Sequence, residues 1–440
     1  MKDIYQTVLD GAIALHKESK FSEAEVEYNR LLNRLPFEES LLFLLGDLYL
    51  RKNFNGLAIN LFSALLLNNR MHGPAWCNLG AAFRKENEYE KAKRCWERSI
   101  EVAGENPEVC NNMATLYADK SAPQQALEWI EKVLKMEPDN VSAHWGKALA
   151  LLTLREWDAG WKEYEWRQKL SNWDDRKAVI APQWDGSHVG HLYVHGEQGV
   201  GDEVMFASAL PMVKAGHVTV EVNAKVAPLI QKSFPDFDVV TEASPGDYDA
   251  KVPIASLIRM FGFNREPYLN PDPWRVEFYR EELKKIGQGP YVALTWMGGT
   301  NVTRIEDRSI LLSDLRPIMD GFTCVSAQHW ADNPLIRKEQ DEAMAREGLK
   351  AINDESRGLD LHEQAALFRA VDYVVTVQQT AVHVAGAVGA KTHCIIGTHP
   401  HWRYGMDGDS LPWYESVKLH RRTGDWKEVV GRVLADLRSV

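Results

Sequence analysis

The apolar positions of the first 170 residues fall into two helical patterns per period, and the period is 34 residues. Small residues keep the register. One series is Ala12, Gly46, Gly80, Ala114 and Ala148, and a second is Ala24, Ala58, Ala92, Ala126 and Gly160. Large residues follow the first series three positions on, at Leu15, Tyr49, Phe83, Tyr117 and Leu151. A short polar break separates the two patterns of a period, as at Lys52-Asn53-Phe54 and Glu86-Asn87-Glu88-Tyr89. Apolar residues three and four apart share one helix face, so the chain predicts helix–turn–helix units. A small residue on each helix lets two backbones approach, and the large neighbours fill the groove between hairpins. Such hairpins bury their apolar faces only by stacking, which leaves a concave surface. Asn78, Arg84, Asn111 and Asn112 either line that surface or are solvated polar positions. The last helical pattern, Trp157 to Trp166, carries Trp157, Trp161 and Trp166. They read as core that seals the last hairpin against the next domain, with a carbohydrate platform as the alternative.

From Trp184 the pattern changes to short β-branched runs alternating with helical ones. The first group of strands is expected at Leu192–His195, Val218–Val222, Val239–Val240 and Lys251–Pro253. A second group is expected at Tyr291–Trp296, Thr323–Ala327, Tyr373–Val377, His393–Ile396 and Val417–Leu419. Helical patterns at Val204–Leu210, Asp360–Ala370, Val382–Val388 and Trp426–Leu437 lie between or after them. Alternating β and α predicts parallel sheets with helices on both faces, and ligands at the carboxyl ends of the strands. Pro267, Pro271 and Pro273 mark a boundary. The expected organisation is a helical array over 1–170, a first α/β lobe over 184–275, and a second over 286–440 ending in a helix.

The net charge of −11 argues against a general nucleic-acid binder, because phosphate contacts need a positive face. Five scattered cysteines without a C-x-x-C pair fit buried free thiols in a reducing compartment. No uncharged apolar run approaches the ~18 residues of a membrane span, and the N-terminus reads as amphipathic. A cytoplasmic location is the expectation.

The chemistry-bearing stretches lie at strand ends. His195-Gly196-Glu197-Gln198-Gly199-Val200-Gly201-Asp202-Glu203 follows the first strand and opens a helix. Glycines there let the backbone approach a ligand, and helix N–H groups face it. Asp202 suits a general base or an N-cap; Glu197 is the reserve carboxylate, and Glu203 sits in the first turn for dipole reasons. Arg308 is the candidate grip for phosphate, with Arg304 as an assistant or an exposed loop residue. Gln379, Thr380 and His383 open a helix after the third strand of the second group. Gln328-His329-Trp330 and Trp402-Arg403-Tyr404 follow two further strands. Arg403 is read as a phosphate contact or as a structural partner of Asp407 or Asp409. Asp236-x-Asp238 precedes a strand instead of following one, Asp407-x-Asp409 lies in a loop, and the pairs His188 with His191 and His399 with His401 lack an obvious third ligand, so no metal is expected.

The 34-residue unit resembles the tetratricopeptide repeat. Trp184-Asp185-Gly186, Glu197 to Asp202, Trp296-x-Gly298, Asp307-Arg308-Ser309-Ile310, Gln379 to Gly389, Pro400 to Gly405 and Pro412-Trp413-Tyr414 together resemble a bacterial group. Its members join such repeats to a two-lobed glycosyltransferase. The catalytic half is similar to heptosyltransferases, and the overall plan to the O-linked N-acetylglucosamine transferase. The resemblance implies a repeat superhelix followed by two Rossmann-like lobes of the GT-B type. It implies an inverting, metal-independent glycosyltransferase using a nucleotide-diphosphate-sugar donor and no other cofactor. Asp202 would be the base; Arg308, Gln379, Thr380, His383, Gln328, Trp296, Gly298 and Arg403 would hold the donor. Gln198, Gly199 and Gly201 would form the acceptor-side loop. The array would dock a protein acceptor, such as flagellin or another surface protein, and could self-associate. Heptosyltransferases carry an aspartate where Gln378 or Gln379 stands here. Two alternatives remain open: a degenerate transferase half serving as a binding scaffold, and a transferase acting on a lipid-linked or oligosaccharide acceptor.

Overall fold

A computed structural model describes residues 2–173, 179–243, 245–299, 305–329, 334–352 and 361–439. The chain forms two compact units, Met1–Ala150 and Leu151–Val440. Arg304, Trp330 and Asp360, all named above, lie outside the described residues.

The first unit is a run of helical hairpins. It contains α1 (Lys2–Lys17), α2 (Phe21–Leu32), α3 (Glu39–Arg51), α4 (Asn55–Asn68), α5 (Gly73–Lys85), α6 (Tyr89–Ala103), α7 (Pro107–Asp119), α8 (Pro123–Met136) and the start of α9 (Val141–Thr153). Backbone and caps repeat with the same period as the small residues. Ser19, Asn53, Asn87 and Ser121, one per hairpin turn, take φ of 61°, 62°, 61° and 53°. Asparagine tolerates this left-handed region better than most residues, and it occupies two of the four turns. His72, Asn106 and Asn140 cap α5, α7 and α9, accepting the N–H groups of Ala75, Val109 and Ala143 at 3.0, 3.0 and 2.9 Å. Each cap satisfies an N–H that the first helical turn leaves without a partner.

The small residues do what their spacing predicts. Ala24, Ala58 and Ala92 are fully buried. A Cβ on Gly80 would lie 2.5 Å from Nε1 of Trp96, which donates to the Cys77 carbonyl at 2.9 Å. Trp96 therefore fills the space that a side chain at 80 would take. Of the polar positions assigned to the surface, Arg84 pairs with Asp119 at 2.7 Å, and Asn112 donates to the Cys77 sulfur at 3.3 Å. Both are tied within the array.

The second unit opens with α10 (Trp157–Tyr164), which continues as a 3-10 turn over Glu165–Lys169. Two sheets follow. The first holds β1 (His191–His195), β2 (His217–Glu221), β3 (Asp238–Val240) and β4 (Ala250–Pro253), all parallel, in the order β3-β2-β1-β4. Short helices α11 (Val200–Phe206), α12 (Ala227–Ser233) and α13 (Ser256–Phe261) accompany it, and α14 (Pro273–Ile286) leads onward. The second sheet holds β5 (Tyr291–Leu294), β6 (Thr323–Ser326), β7 (Tyr373–Val377), β8 (Thr392–Ile396), β9 (Ser410–Leu411) and β10 (Tyr414–Arg421), in the order β6-β5-β7-β8-β10-β9. Its helices are α15 (Arg316–Met319), α16 (Pro334–Glu347), α17 (Leu361–Ala370), α18 (Thr380–Ala387) and α19 (Trp426–Arg438).

Every expected strand is present within a few residues. β9 was not expected; two residues leave no alternation to read. It also runs antiparallel to β10, so the second sheet is not wholly parallel. β10 starts at Tyr414, earlier than expected, because exposed Glu415 breaks the apolar run. The helix read from Val204 begins at Val200, with Gly199 as N-cap and Asp202 reaching back to it.

The tryptophans of α10 are packed in the α/β unit. Trp157 meets Phe263 and Trp413 edge-on, with centroids 5.9 and 5.8 Å apart. Trp161 does the same with Phe206, Trp402 and Trp413. Trp166 is half-buried.

Gly80→Val should lower array stability by about 1–3 kcal/mol through overpacking against Trp96. Gly11→Ala, on an exposed face of α1 with nothing within 4 Å, should raise it by about 0.5–1 kcal/mol. Denaturant unfolding of the two variants measures both signs.

Candidate functional site

Both sheets reverse their strand order beside their first strand. The chain runs β1, β2, β3 outward and then returns to place β4 on the other side of β1. It likewise runs β5 to β6 and returns to place β7 against β5. Loops leaving such a point diverge to opposite faces and open a crevice. A cleft of about 640 Å³ lies there. Its walls come from the carboxyl ends of β1, β5, β6, β7 and β8.

Three consecutive residues tie those ends together. Asp307 accepts the Thr398 N–H at 3.0 Å, the Thr398 hydroxyl at 2.7 Å and the His399 N–H at 2.8 Å, beyond β8. Burial pushes the Asp307 carboxyl up, but these hydrogen bonds outweigh it and hold the group below its ordinary value. Arg308 donates Nε and Nη2 to the Gln378 carbonyl at 3.1 and 2.7 Å, beyond β7. The Ser309 hydroxyl accepts the Gly298 N–H at 3.0 Å and donates to the Gly298 carbonyl at 3.2 Å, beyond β5. The fit demands glycine at 397, where a Cβ would fall 2.0 Å from the Asp307 carbonyl. Arg308 thus has two nitrogens engaged and its Nη1 without a hydrogen bond among the described residues, and it lines the cleft.

The turn after β1 is held from behind by the α10 segment. Glu197 does not line the cleft. It is buried, and its two oxygens take Nε and Nη2 of Arg167, both at 2.7 Å, while Oε1 also accepts the Ala255 N–H at 3.1 Å. Burial alone would lower the Arg167 pKa, but Glu197 and Glu165 raise it above its ordinary value. Gln198 takes φ of 63° and donates to the Tyr164 hydroxyl at 2.5 Å. Glu203 is buried and accepts the Asn223 N–H at 2.9 Å.

Asp202 lines the cleft. One oxygen accepts the Gly199 N–H at 3.3 Å, and the other is ion-paired with Arg403. Cap and cleft positions therefore coincide. Arg403 also donates to Nδ1 of His401 at 2.6 Å and lies over Trp402. It does not pair with Asp407 or Asp409; the carbonyls of Asp407 and Ser410 bond Arg155, and Arg421 holds the same loop.

α18 brings Gln379, Thr380 and His383 to the cleft beside Gly201, where a Cβ would lie 3.1 Å from the Thr380 hydroxyl. The amide nitrogens of Gln378 and Gln379 are buried and have no hydrogen-bond partner among the described residues. His383 accepts from or donates to the Tyr414 hydroxyl at 3.2 Å. Burial and Arg308 push His383 down to about 3, and burial with Arg308 and His383 does the same to His401, so both rings are neutral at pH 7. Gln328 lines the cleft and braces it: Oε1 accepts the Trp296 and Met297 N–H groups at 2.8 and 2.9 Å, and Nε2 donates to the Met297 carbonyl at 3.1 Å. Gly298 lines the cleft, whereas Trp296 is core.

Residues 73–106 match the tetratricopeptide repeat family model, and residues 111–164 match a second tetratricopeptide repeat model. The N-terminal helices are tetratricopeptide repeats. Arrays of such repeats are protein-interaction scaffolds. Protein FlbA of Caulobacter vibrioides is 26% identical over 509 aligned residues, covering 97% of this chain and 83% of FlbA. Among solved structures, PilF of Pseudomonas aeruginosa is 17% identical, covering 40% of this chain and 81% of PilF, with a TM-score of 0.36. A thermophilic tetratricopeptide-repeat protein of Thermus thermophilus is 16% identical, covering 38% of this chain and 91% of that one, with a TM-score of 0.34. No helix among the described residues is long and apolar enough to cross a membrane.

Sequence reasoning missed Arg167, Tyr164 and His401 as members of the site's framework. His401 lies after β8 beside Arg403, and that position, more than its spacing from His399, signals its place at the cleft. Tyr164 and Arg167 carried no signal, since they follow the repeat pattern and meet the β1 turn only in space. Glu197→Gln should cost about 3–5 kcal/mol, because it strands the buried Arg167 charge. Thermal unfolding of that variant beside the unaltered protein measures the loss.

Proposed function

We propose that the α/β unit is a glycosyltransferase that takes its sugar from a nucleotide-diphosphate donor. The observation that supports this most is the set of donors around one cleft. Arg308 Nη1, the amide of Gln379 that has no partner among the described residues, and the N-terminus of α18 all suit an anion held without a metal. Asp202 enters the same cleft from the turn after β1, where an acceptor hydroxyl would be deprotonated. The two sheets correspond to the acceptor and donor lobes of a GT-B architecture in this reading. The neutral rings of His383 and His401 leave hydrogen-bonding capacity for sugar hydroxyls without adding charge. The repeats present a protein acceptor, and inversion at the anomeric carbon rests on the resemblance alone.

Arg403 has a specific consequence. Its ion pair occupies one oxygen of Asp202. A diphosphate attracts the same guanidinium, so donor binding would loosen its hold on the base. The ion pair equally supports a second reading, in which Asp202 is a structural anchor and the unit binds nucleotides without transfer.

Calorimetry with a panel of nucleoside diphosphates should show selective binding of one of them. Arg308→Ala should weaken it by about 10–100-fold, the worth of one or two hydrogen bonds to a charged group. Asp202→Asn should keep nucleotide affinity within a few-fold and lower transfer by about 100–10,000-fold, read as acceptor mass shift. Retained transfer in Asp202→Asn excludes the base role, and nucleotide binding without any transfer by the unaltered protein favours the second reading.

A further inference from the structure

We propose that His393, His420 and Asp436 form a binding site for one zinc ion on the face of the second sheet covered by α19. None of the three residues lines the cleft. The site stands apart from the proposed transfer chemistry and does not depend on it.

The pairing of β8 with β10 builds the site. Lys418 lies opposite His393, and His420 lies opposite Ile395. Residues two apart on a strand share a face, so His393, Ile395 and His420 lie on one side of the sheet. Ile395 packs there with Val429, Val430, Val433 and Leu437 of α19. This is an apolar interface, and the two histidines interrupt it. They are 8% and 5% exposed. Buried polar side chains are costly unless fully partnered, and each imidazole offers two nitrogens.

The donor geometry suits a metal. His393 Nδ1 and His420 Nε2 are 2.9 Å apart. His420 Nε2 and Asp436 Oδ2 are 3.7 Å apart, and all three ligand atoms lie within 4.8 Å of one another. Around a tetrahedral zinc with bonds of ~2.0–2.1 Å, ligand atoms stand about 3.3 Å apart. The observed separations straddle that value, so small side-chain shifts would seat the ion. A metal binds an imidazole through a nitrogen that carries no proton. The nitrogen that now donates between the rings must give up its proton, which a change of tautomer accomplishes with no net loss. Two imidazoles and one carboxylate are a zinc donor set. Asp436 is about one-third exposed, which leaves a fourth position and an entry path on its side.

Lys418 is the resident competitor. Its Nζ lies 2.6 Å from Asp436 Oδ2, and its side chain is 47% exposed. A long side chain at that exposure can swing into solvent, handing the carboxylate to the metal. This makes the site separable from a merely structural His–His–Asp chain, because removing Lys418 strengthens a metal site.

The test is competition of the full-length protein against a chromophoric chelator, with Zn²⁺ as the probe. The unaltered protein should take up one equivalent that is lost in His420→Gln and weakened at least tenfold in Asp436→Asn. Lys418→Met should tighten it several-fold, and Co²⁺ in its place should give the visible bands of a four-coordinate ion. Absence of that equivalent, its persistence in His420→Gln, or an unchanged affinity in Lys418→Met overturns the proposal. If His420→Gln does not fold, Lys418→Met and Asp436→Asn decide the matter, since both change partly exposed side chains.

Discussion

Parallel strands send their chain out at one edge, and the loops there have no ladder to hold them. In this protein Asp307, Arg308 and Ser309 supply the restraint. Each satisfies backbone groups of a different strand end, beyond β8, β7 and β5 in turn. The resulting floor is rigid because its partners are main-chain atoms, which cannot change rotamer. The position of α18 and the free edge of the Arg308 guanidinium both follow from it. A triad of side chains spent on structure leaves one of them, Arg308, with a nitrogen to spare for a ligand.

The opposite wall is built by a different device. Arg167 and Glu197 bury a paired charge behind the β1 turn, and Tyr164 holds Gln198 beside it. Such a pair adds little net stability over apolar packing, but it defines one geometry, since either partner alone would be a stranded charge. It places Gly199 and Gly201 against the start of α18 and turns Asp202 toward Arg403. The α10 segment, which follows the repeat pattern in sequence, serves the α/β unit through Trp157, Trp161, Tyr164 and Arg167. Aromatic stacking fixes its position, and the ion pair sets the turn beneath it.

The array and the α/β unit obey different rules. In the array, identity of position matters: the same offset gives a small residue, a left-handed turn or a cap in each hairpin. In the α/β unit each loop is particular, and the polar groups of one are satisfied by another far along the chain. The buried His393 and His420 pair brings polar chemistry into the sheet interior beside α19.

Most of the architecture was legible in the chain because it rests on local periodicity. The 34-residue register names the hairpins, since close packing of two helices requires a small residue at fixed offsets. The strands declare themselves through β-branched runs, and the strand-end glycines and helix openings point to one edge. Gly298, Arg308, Thr380 and Asp202 could be picked out for that reason. What the local pattern could not supply was pairing across distance. Glu197 and Asp202 are five residues apart and both acidic, yet only tertiary structure sends one to Arg167 in the core and the other into the cleft. Gln328 lines the cleft and also braces the end of β5, and Arg403 pairs with Asp202 instead of Asp407 or Asp409. Sequence by itself determined which elements form, because helix and strand periods are written in neighbouring residues. Tertiary structure alone decided the partner of each charge, because a buried charge is stable only beside whatever the fold brings within about 3 Å of it.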